Sequence, residues 1–453
     1  MRRNVIKLII FLGDFALLFA ALAVSLLWRD GFDGFVPYFL QHIPAFSIVF
    51  PLWCVVFYIG DLYNFSVQLN HRRYSYLLAV SIALAVGFFY AFPGLELTPK
   101  TNLLRIAVVF TVLFYGWRTL VTRTLDQLGI HRPVLLVGSD KQSLEIARKL
   151  IADARMGYRI VGIVEDNGSP VPEEILNAHN TKLLRQPDEI RALVERKQVH
   201  TVVVSDHNFV ALYKILYQLI PLGVYFFRLT TFWEDFDQSI PVFSAHETWF
   251  LENINRRVSR ASDVVKRGFD IVVTLLLLPA AIPLALFTAL AVRISGRGPV
   301  IYSQTRLGKN EQPFTIYKFR SMVPDAELNG PQWASTGDPR VTRVGQFIRR
   351  SRLDELPQLY NILRGEMSLV GPRPERPEFV RELTKTIPHY RLRHMVKPGL
   401  SGWAQVQYRY GSNEEDAGVK LMYDLYYVKN ASIILDTKVL LKTAAIVLTQ
   451  GGL

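Results

Sequence analysis

Four apolar segments open the chain: roughly Val5–Leu27, Pro44–Gly60, Tyr76–Phe92 and Leu103–Val121. Each is near the ~20 residues that span a bilayer as a helix. Four spans return the chain to its starting side. Basic residues precede the first (Arg2, Arg3, Lys7), separate the second from the third (Arg72, Arg73) and follow the fourth (Arg118, Arg123, Arg132). The two remaining connections carry little positive charge (Arg29, Lys100). The positive-inside rule therefore puts both ends of the bundle in the cytoplasm. The first segment lacks a small-residue cleavage site and reads as retained. Asp14 falls inside it, and a buried helix–helix hydrogen bond is the expected use of such a carboxylate. Cys54 is the lone cysteine, which excludes an intramolecular disulfide and a Cys-rich metal site.

From 131 to 245 the pattern changes to short β-rich runs alternating with amphipathic helices. Strands are expected at Pro133–Val137, Arg159–Val164, Thr201–Val204 and Gly223–Arg228, and helices at Lys141–Ala154 and Pro187–Arg196. That alternation argues for a parallel, doubly wound sheet. The first strand ends in Gly138-Ser139-Asp140-Lys141-Gln142-Ser143. A dinucleotide fold asks there for Gly-x-Gly-x-x-Gly, whose second glycine lets the backbone approach a pyrophosphate. With Asp140 in its place, the domain reads as Rossmann-like in shape and without a dinucleotide.

A polar linker, 246–262, leads to Lys266-Arg267-Gly268-Phe269-Asp270 and an apolar run ending at Val292. The run is long enough to cross a bilayer, yet Pro279 and Pro283 delete backbone donors in its middle and bend a helix. Lys266 and Arg267 stand before it, Arg293 and Arg297 after it, which places both ends on one face. The expectation is a re-entrant helix over 270–292. Most of the net charge of +13 lies beyond this point. Such a balance suits nucleic acid, an anionic bilayer or anionic substrates. The last apolar stretch, Ser432–Leu448, is amphipathic and suits a core cover or a bilayer surface equally.

The chemistry concentrates at Leu353-Asp354-Glu355-Leu356-Pro357-Gln358-Leu359. Pro357 fits a helix only if the helix has barely begun, so the two carboxylates are expected at a helix N-terminus. That field keeps a carboxylate ionised and collects anions. Ser351–Asp354 also matches a capping box, the bland use of the same residues. The company decides the weighting: Lys318, Arg320, Arg349, Arg350, Arg352, Arg364, Arg373 and Arg376 are cations whose planar forks, where Arg, recognise phosphate.

Lys266-Arg267-x-x-Asp270 before a Pro-broken apolar run, then YKFRSM, DPRVTRVGQFIR, RLDELPQLYNILRGEMSLVGPRPERPEF, KPGLSGWAQV and YDLYYVKN, together resemble the bacterial polyprenyl-phosphate sugar-phosphate transferases. The four spans and the Rossmann-like unit are similar to the long form, the initiating hexose-1-phosphate transferases of exopolysaccharide or O-antigen synthesis. Gly330-Pro-Gln-Trp333, Arg376-Pro-Glu-Phe379 and Tyr408-Arg-Tyr-Gly411 look most like the exopolysaccharide branch. The resemblance implies transfer of a hexose 1-phosphate from a UDP-hexose to undecaprenyl phosphate with release of UMP, at the cytoplasmic face of the bacterial inner membrane. It implies that Asp354 attacks the sugar-bearing phosphorus and that Glu355 helps bind Mg²⁺. The resemblance further implies that Arg373 clamps phosphate, that Lys318, Arg320 and Arg352 border the same pocket, and that Pro279 is the helix-breaking proline.

The expected architecture is a membrane protein of α and α/β class. It comprises a four-helix transmembrane bundle (1–125), the Rossmann-like domain (131–245), the linker and a mixed catalytic domain (263–453), and it is compatible with a homo-oligomer. A membrane-bound NAD-dependent nucleotide-sugar epimerase or dehydratase is the rival reading. It needs the glycine fingerprint and a Tyr-x-x-x-Lys pair, and neither is present. Binding of nucleic acid would leave the paired carboxylates and the Gly-Pro-Arg-Pro turn without a use, so no such partner is expected.

Overall fold

The computed structural model describes residues 2–32, 35–60, 62–63, 71–91, 100–127, 132–152, 158–165, 170–178, 181–185, 187–196, 199, 201–205, 217–243, 245, 247–254, 260–323, 326, 338–408 and 413–448. The Gly330–Trp333 motif, residues 409–411 and residues 255–259 of the expected linker lie outside these. The chain divides into two compact units, Met1–Val202 with Gln218–Tyr225, and Val203–Tyr217 with Phe226–Leu453.

The first unit opens with four helices, α1 (Arg2–Asp30), α2 (Phe35–Ile59), α3 (His71–Ala91) and α4 (Lys100–Gln127). Three of them contain stretches long and apolar enough to cross a membrane, and Tyr74–Tyr90 in α3 is a shorter apolar one. Such helices mark a membrane protein. Helix α2 begins well before the expected Pro44, because Pro44 and Pro51 are carried inside it. In lipid a helix keeps its backbone bonds wherever it can, and neighbouring helices tolerate the gaps that proline leaves. α1 packs on α2 and α4, and α3 on the same two. Their shared core is aromatic: Phe46, Phe50, Trp53, Phe57, Phe110 and Phe114 are wholly buried. Asp14 is buried as expected, but its partner is charged. Arg118 of α4 approaches to 2.6 Å, making the interhelical contact an ion pair.

After the bundle come β1 (Arg132–Val137), α5 (Lys141–Ala152), β2 (Tyr158–Val164), α6 (Glu173–Ala178), β3 (Lys182–Leu184), α7 (Pro187–Glu195), β4 (Thr201–Val204) and β5 (Tyr225–Arg228). The strands form one sheet in the order β3-β2-β1-β4-β5, with β1–β2 and β2–β3 parallel. This is the doubly wound order, with the first strand central. Val134, Leu135 and Leu136 of β1 are buried accordingly. The turn after β1 has Gly138 at φ +119°. Asp140 follows, and its Oδ1 accepts from the backbone N–H groups of Gln142 and Ser143 at 3.0 Å each, while Oδ2 accepts from the Ser143 hydroxyl at 2.8 Å. The donors that would face a pyrophosphate are thus met by a side chain of the chain itself.

In the second unit the elements are α8 (Leu229–Asp237), α9 (Glu247–Asn253), α10 (Arg260–Ile294), β6 (Ile301–Leu307), β7 (Pro313–Phe319), α11 (Arg343–Arg350), α12 (Gln358–Arg364), β8 (Ser368–Val370), α13 (Pro377–Thr386), β9 (Gly399–Ser401), α14 (Trp403–Gln407), α15 (Glu414–Asn430) and α16 (Ile433–Leu448). β6 and β7 make an antiparallel hairpin that pairs Tyr302 with Lys318. β8 and β9 pair in parallel. α16 buries Leu435 and Val439 while Ile434 stays exposed, so it covers core with one face.

α10 is helical throughout, Pro279 and Pro283 included, and at 35 residues it is about 50 Å long. One face is fastened to the domain along its length. Near the start, Lys266 pairs with Asp436 at 2.7 Å, and Asp270 accepts from the Ser368 hydroxyl at 3.0 Å and Leu369 N–H at 3.2 Å. Arg267 donates to the carbonyls of Ile362 and Leu363, closing the end of α12. Midway, Ala281 joins the core of Ile316, Leu359 and Ile362. Near the end, Val292 packs on Phe319 and Ile348. Other faces are bare and apolar, with Leu276, Leu286 and Phe287 all more than two-thirds exposed.

Candidate active site

Two segments bring the site together. β7 delivers Lys318, and the stretch between α11 and α12 delivers the carboxylates. α11 begins at Thr342, whose hydroxyl caps Gly345 N–H at 2.9 Å, and it ends in the run of arginines. Arg352 then takes the left-handed conformation, φ +59°. For a non-glycine residue that conformation is strained, and such strain gathers at functional sites. It turns the chain sharply into a single 3₁₀ turn, Leu353–Glu355. Asp354 and Glu355 therefore do not stand in the first turn of an α-helix as expected. Leu356 and Pro357 intervene before α12 starts at Gln358. The expected capping box is absent too, because the Ser351 hydroxyl donates back to Phe347 O at 2.8 Å.

Both carboxylates are buried, Asp354 8% and Glu355 6% exposed. Three cations converge on one oxygen of Glu355: Arg373 Nη2 at 3.0 Å, Arg352 Nη1 at 3.5 Å and Lys318 Nζ at 3.8 Å. Asp354 is beside this cluster, and its Oδ1 is buried without a hydrogen-bond partner among the described residues. The two environments push the acids apart, as paired catalytic carboxyls require. Burial, then the charge of Glu355, raises Asp354 to about 6 against the pull of Lys318 and Arg373. Burial also opposes ionisation of Glu355, but Arg373, Lys318 and Arg352 outweigh it and hold this carboxyl well below its usual range. Lys318 is brought down to about 8, first by burial and then by Arg373.

The Gly371–Pro374 turn that carries Arg373 is bound on several sides. Gly371 N–H donates to Ser401 O and Gly399 N–H to Pro372 O, both at 2.9 Å. A methyl group at Gly371 would overlap the backbone of Lys397, Pro398 and Gly399, which is why glycine stands there. Arg306 donates to Pro374 O at 3.1 Å, and Arg393 to Arg373 O at 3.0 Å. Arg393 is itself buried, clasped by Asp424 of α15 at 2.7 Å and donating to the Tyr390 hydroxyl at 2.8 Å.

Of the residues singled out in the sequence, Asp354, Glu355, Lys318, Arg352 and Arg373 come together. Arg320 does not join them. It is two residues past Lys318, and its guanidinium closes the end of α10 by donating to Val292, Gly296 and Arg297 carbonyls at 3.4, 3.0 and 2.6 Å. Arg364 approaches Glu366, and Arg376 approaches Glu378, each at 3.5 Å. Lys266, Arg267 and Asp270 fasten α10 rather than line this cluster. Sequence reasoning missed Arg393 and Asp424 and gave Arg306 no role. A lone acid amid the apolar YDLYYVKN stretch was the available signal for Asp424.

Comparison with known proteins identifies the family of the chain. The bacterial sugar transferase family matches residues 261–450. Over 188 residues the chain is 47% identical to a UDP-N-acetylgalactosamine-undecaprenyl-phosphate N-acetylgalactosaminephosphotransferase of Aeromonas hydrophila, covering 42% of this chain and 44% of that one. It is 34% identical over 349 residues to the undecaprenyl-phosphate glucose phosphotransferase of Komagataeibacter xylinus, covering 75% and 63%. With the undecaprenyl-phosphate galactose phosphotransferase of Salmonella typhimurium it shares 31% identity over 364 residues, covering 75% and 73%. The chain thus spans less than two-thirds of the length of the first two of these relatives. It belongs to the bacterial sugar transferase family, the one its motifs resemble.

Proposed function

We propose that this protein transfers a hexose 1-phosphate from a UDP-sugar to undecaprenyl phosphate through a covalent phospho-sugar on Asp354, an early membrane step of exopolysaccharide synthesis. The observation that carries the reading is the placement of Asp354. It is a buried carboxylate with an uncommitted oxygen, beside a carboxylate that gathers three cations. An Asp354 oxygen attacks the sugar-bearing phosphorus, and the bond to UMP breaks. A phosphate oxygen of the lipid then attacks the same phosphorus and frees Asp354. Covalent catalysis lets two anionic substrates be handled in turn. Phosphoryl transfer asks chiefly for positioning and charge neutralisation, the work of Lys318, Arg352 and Arg373.

Mg²⁺ fits the residues present. Among the described residues no group of three or more acids, histidines or cysteines forms a ready cage. Mg²⁺ is normally held by one or two carboxylates together with substrate phosphates. Glu355 would help hold it, and the ion would neutralise diphosphate charge. Glu355 meanwhile keeps the three cations in place.

The topology follows from where the donor is. UDP-sugars are cytoplasmic, so Asp354 faces the cytoplasm of a bacterial inner membrane, and α10 enters and leaves the bilayer by that same face. Supporting this, residues at both ends of α10 bond to one folded unit, Lys266 and Arg267 at the start and the Arg320 contacts at the end. The test is release of UMP from a panel of UDP-sugars with and without undecaprenyl phosphate. A burst of about one UMP per protein without lipid is expected. Asp354→Asn, which keeps the shape, should abolish it, and near-normal release by a folded Asp354→Asn protein would overturn the reading. Glu355→Gln should weaken the dependence on magnesium.

A further inference from the structure

The start of α10 borders a cavity of about 670 Å³ that the reaction leaves without a use. Four cations line it: Lys266, Arg267, Lys309 and Lys397. Two are committed to acids, Lys266 to Asp436 at 2.7 Å and Lys309 to Asp263 at 3.2 Å. The other two are not. Arg267 donates to the carbonyls of Ile362 and Leu363, which accept hydrogen bonds but carry no full charge. The half-buried Lys397 ammonium has no hydrogen bond or ion pair among the described residues. These two cations meet over Gly365, the left-handed residue that ends α12: a methyl there would stand 3.4 Å from Arg267 Nη2 and 3.6 Å from Lys397 Nζ. Burial, then Arg267 and Lys309, lower the pKa of Lys397 against the pull of Asp270 and Asp263. Like charges held together in a recess are unfavourable until an anion joins them.

The cavity wall is otherwise largely apolar and runs outward. Val265 and Ile434 border it and are more than half exposed. Val272 and Leu276, two and three turns further along α10, share the face of Val265 and are exposed as well. The recess is also remote from the paired carboxylates. Lys309 lies in the turn of the β6–β7 hairpin, and Lys318 is five residues of strand beyond the first pair, Leu307 with Pro313, about 17 Å away. Arg267 and Lys397 face the last turn of α12, whereas Asp354 and Glu355 precede its first, about 10 Å back. We propose that this cavity holds the phosphodiester of an anionic membrane phospholipid, its phosphate between Arg267 and Lys397 and its chains along Val265 and Ile434. The proposal rests on α10 lying in the bilayer and not on the identity of the nucleophile. The apolar wall favours a lipid over free phosphate, and the distance from Asp354 sets this lipid apart from the acceptor. A zwitterionic headgroup would bring its own cation against Lys309 and Lys397, so the site selects net negative charge.

The experiment is native mass spectrometry of the full-length protein in detergent, titrated with phosphatidylglycerol or phosphatidylcholine. One phosphatidylglycerol per chain should be retained in preference to phosphatidylcholine. Lys397→Gln should weaken that retention about tenfold or more, the scale of a hydrogen bond to a charged group, and Lys397→Arg should keep it. If Lys397→Gln does not fold, Lys309→Gln takes its place and should reduce the preference for phosphatidylglycerol. Equal retention of the two lipids, or retention that neither neutral variant changes, would overturn the proposal. Displacement by inorganic phosphate would make this a free-phosphate site, which also overturns it. Asp354→Asn keeps the two readings separate. It should bind phosphatidylglycerol as the wild type does, whatever its UMP release, and loss of the lipid in that variant would put the headgroup at the reacting carboxylate instead.

Discussion

Replacing Asp424 by Asn should cost far more stability than the chemistry of one atom suggests. Arg393 and Asp424 are 5% and 3% exposed at the side chain and 2.7 Å apart. Burial raises Asp424 despite its partner, so desolvation consumes much of what the pair gains by attraction. The loss on mutation therefore comes from what is left behind. In Asp424→Asn the Arg393 guanidinium remains buried with the Tyr390 hydroxyl and the Arg373 carbonyl as its named partners, having lost the carboxylate that clasps it and keeping only the charge of Glu375. Breaking one side of such a pair costs about 3–5 kcal/mol. At roughly 2–4 °C per kcal/mol for a unit of this size, Tm should fall by about 10 °C. Removing both charges, in Asp424→Leu with Arg393→Met, should recover most of that loss. UMP release should fall most in the double variant, where Arg393 no longer holds the Arg373 carbonyl. The assay is thermal unfolding in detergent followed by tryptophan fluorescence. A single variant within about 2 °C of wild type, or a double variant as unstable as the single one, would refute the reasoning.

In the proposed mechanism Asp354 acts as an anion, and its carboxyl is raised to about 6, so protonation there would remove the nucleophile. The initial rate of UMP release should be level above that value and fall roughly tenfold per pH unit below it; a profile flat to about pH 5 would contradict this. Gly371→Ala should lower both Tm and activity, since the added methyl meets backbone of the neighbouring turn rather than a side chain that can swing away; a fully active, fully stable variant would show that the turn has slack. Single cysteines at Ser262 and Ser295, in a Cys54→Ala background, should both resist a membrane-impermeant thiol reagent in spheroplasts and react once the membrane is opened. Labelling of Ser295 alone would mean that α10 crosses.

Much of this fold announces itself in the chain because it rests on periodicity. Four apolar stretches and the alternation after them are long-range patterns, and α1–α4, β1, α5, β2 and β4 appear within a few residues of their expected places, apart from the early start of α2. β3 and α6 are too short to carry a period, and they escape. At the site, the composition of the motif identifies the carboxylates and their cations but not how the cations are shared. Lys318 and Arg320 read alike in YKFRSM. Strand alternation would put both on one face, but the strand ends at Phe319, and past it Arg320 turns to the end of α10 while Lys318 stays with Glu355. For Asp14 the sequence suggests a helix–helix hydrogen bond but not that its partner is Arg118, which reads as part of the basic rim. Only the full length of α4 places it inside the bundle.

The division of labour between those two cations has a mechanical side. Lys318 stands 3.8 Å from Glu355, and two residues on Arg320 donates to three carbonyls at the end of α10. Two residues of extended strand have almost no slack, about 7 Å of chain. Any rise or fall of that helix end against the headgroups has to carry β7 along, and with it the height of the ammonium over the carboxylate pair. On the proposed function, the depth at which α10 rides in lipid and the charge presented to a diphosphate would therefore be a single coordinate of the molecule.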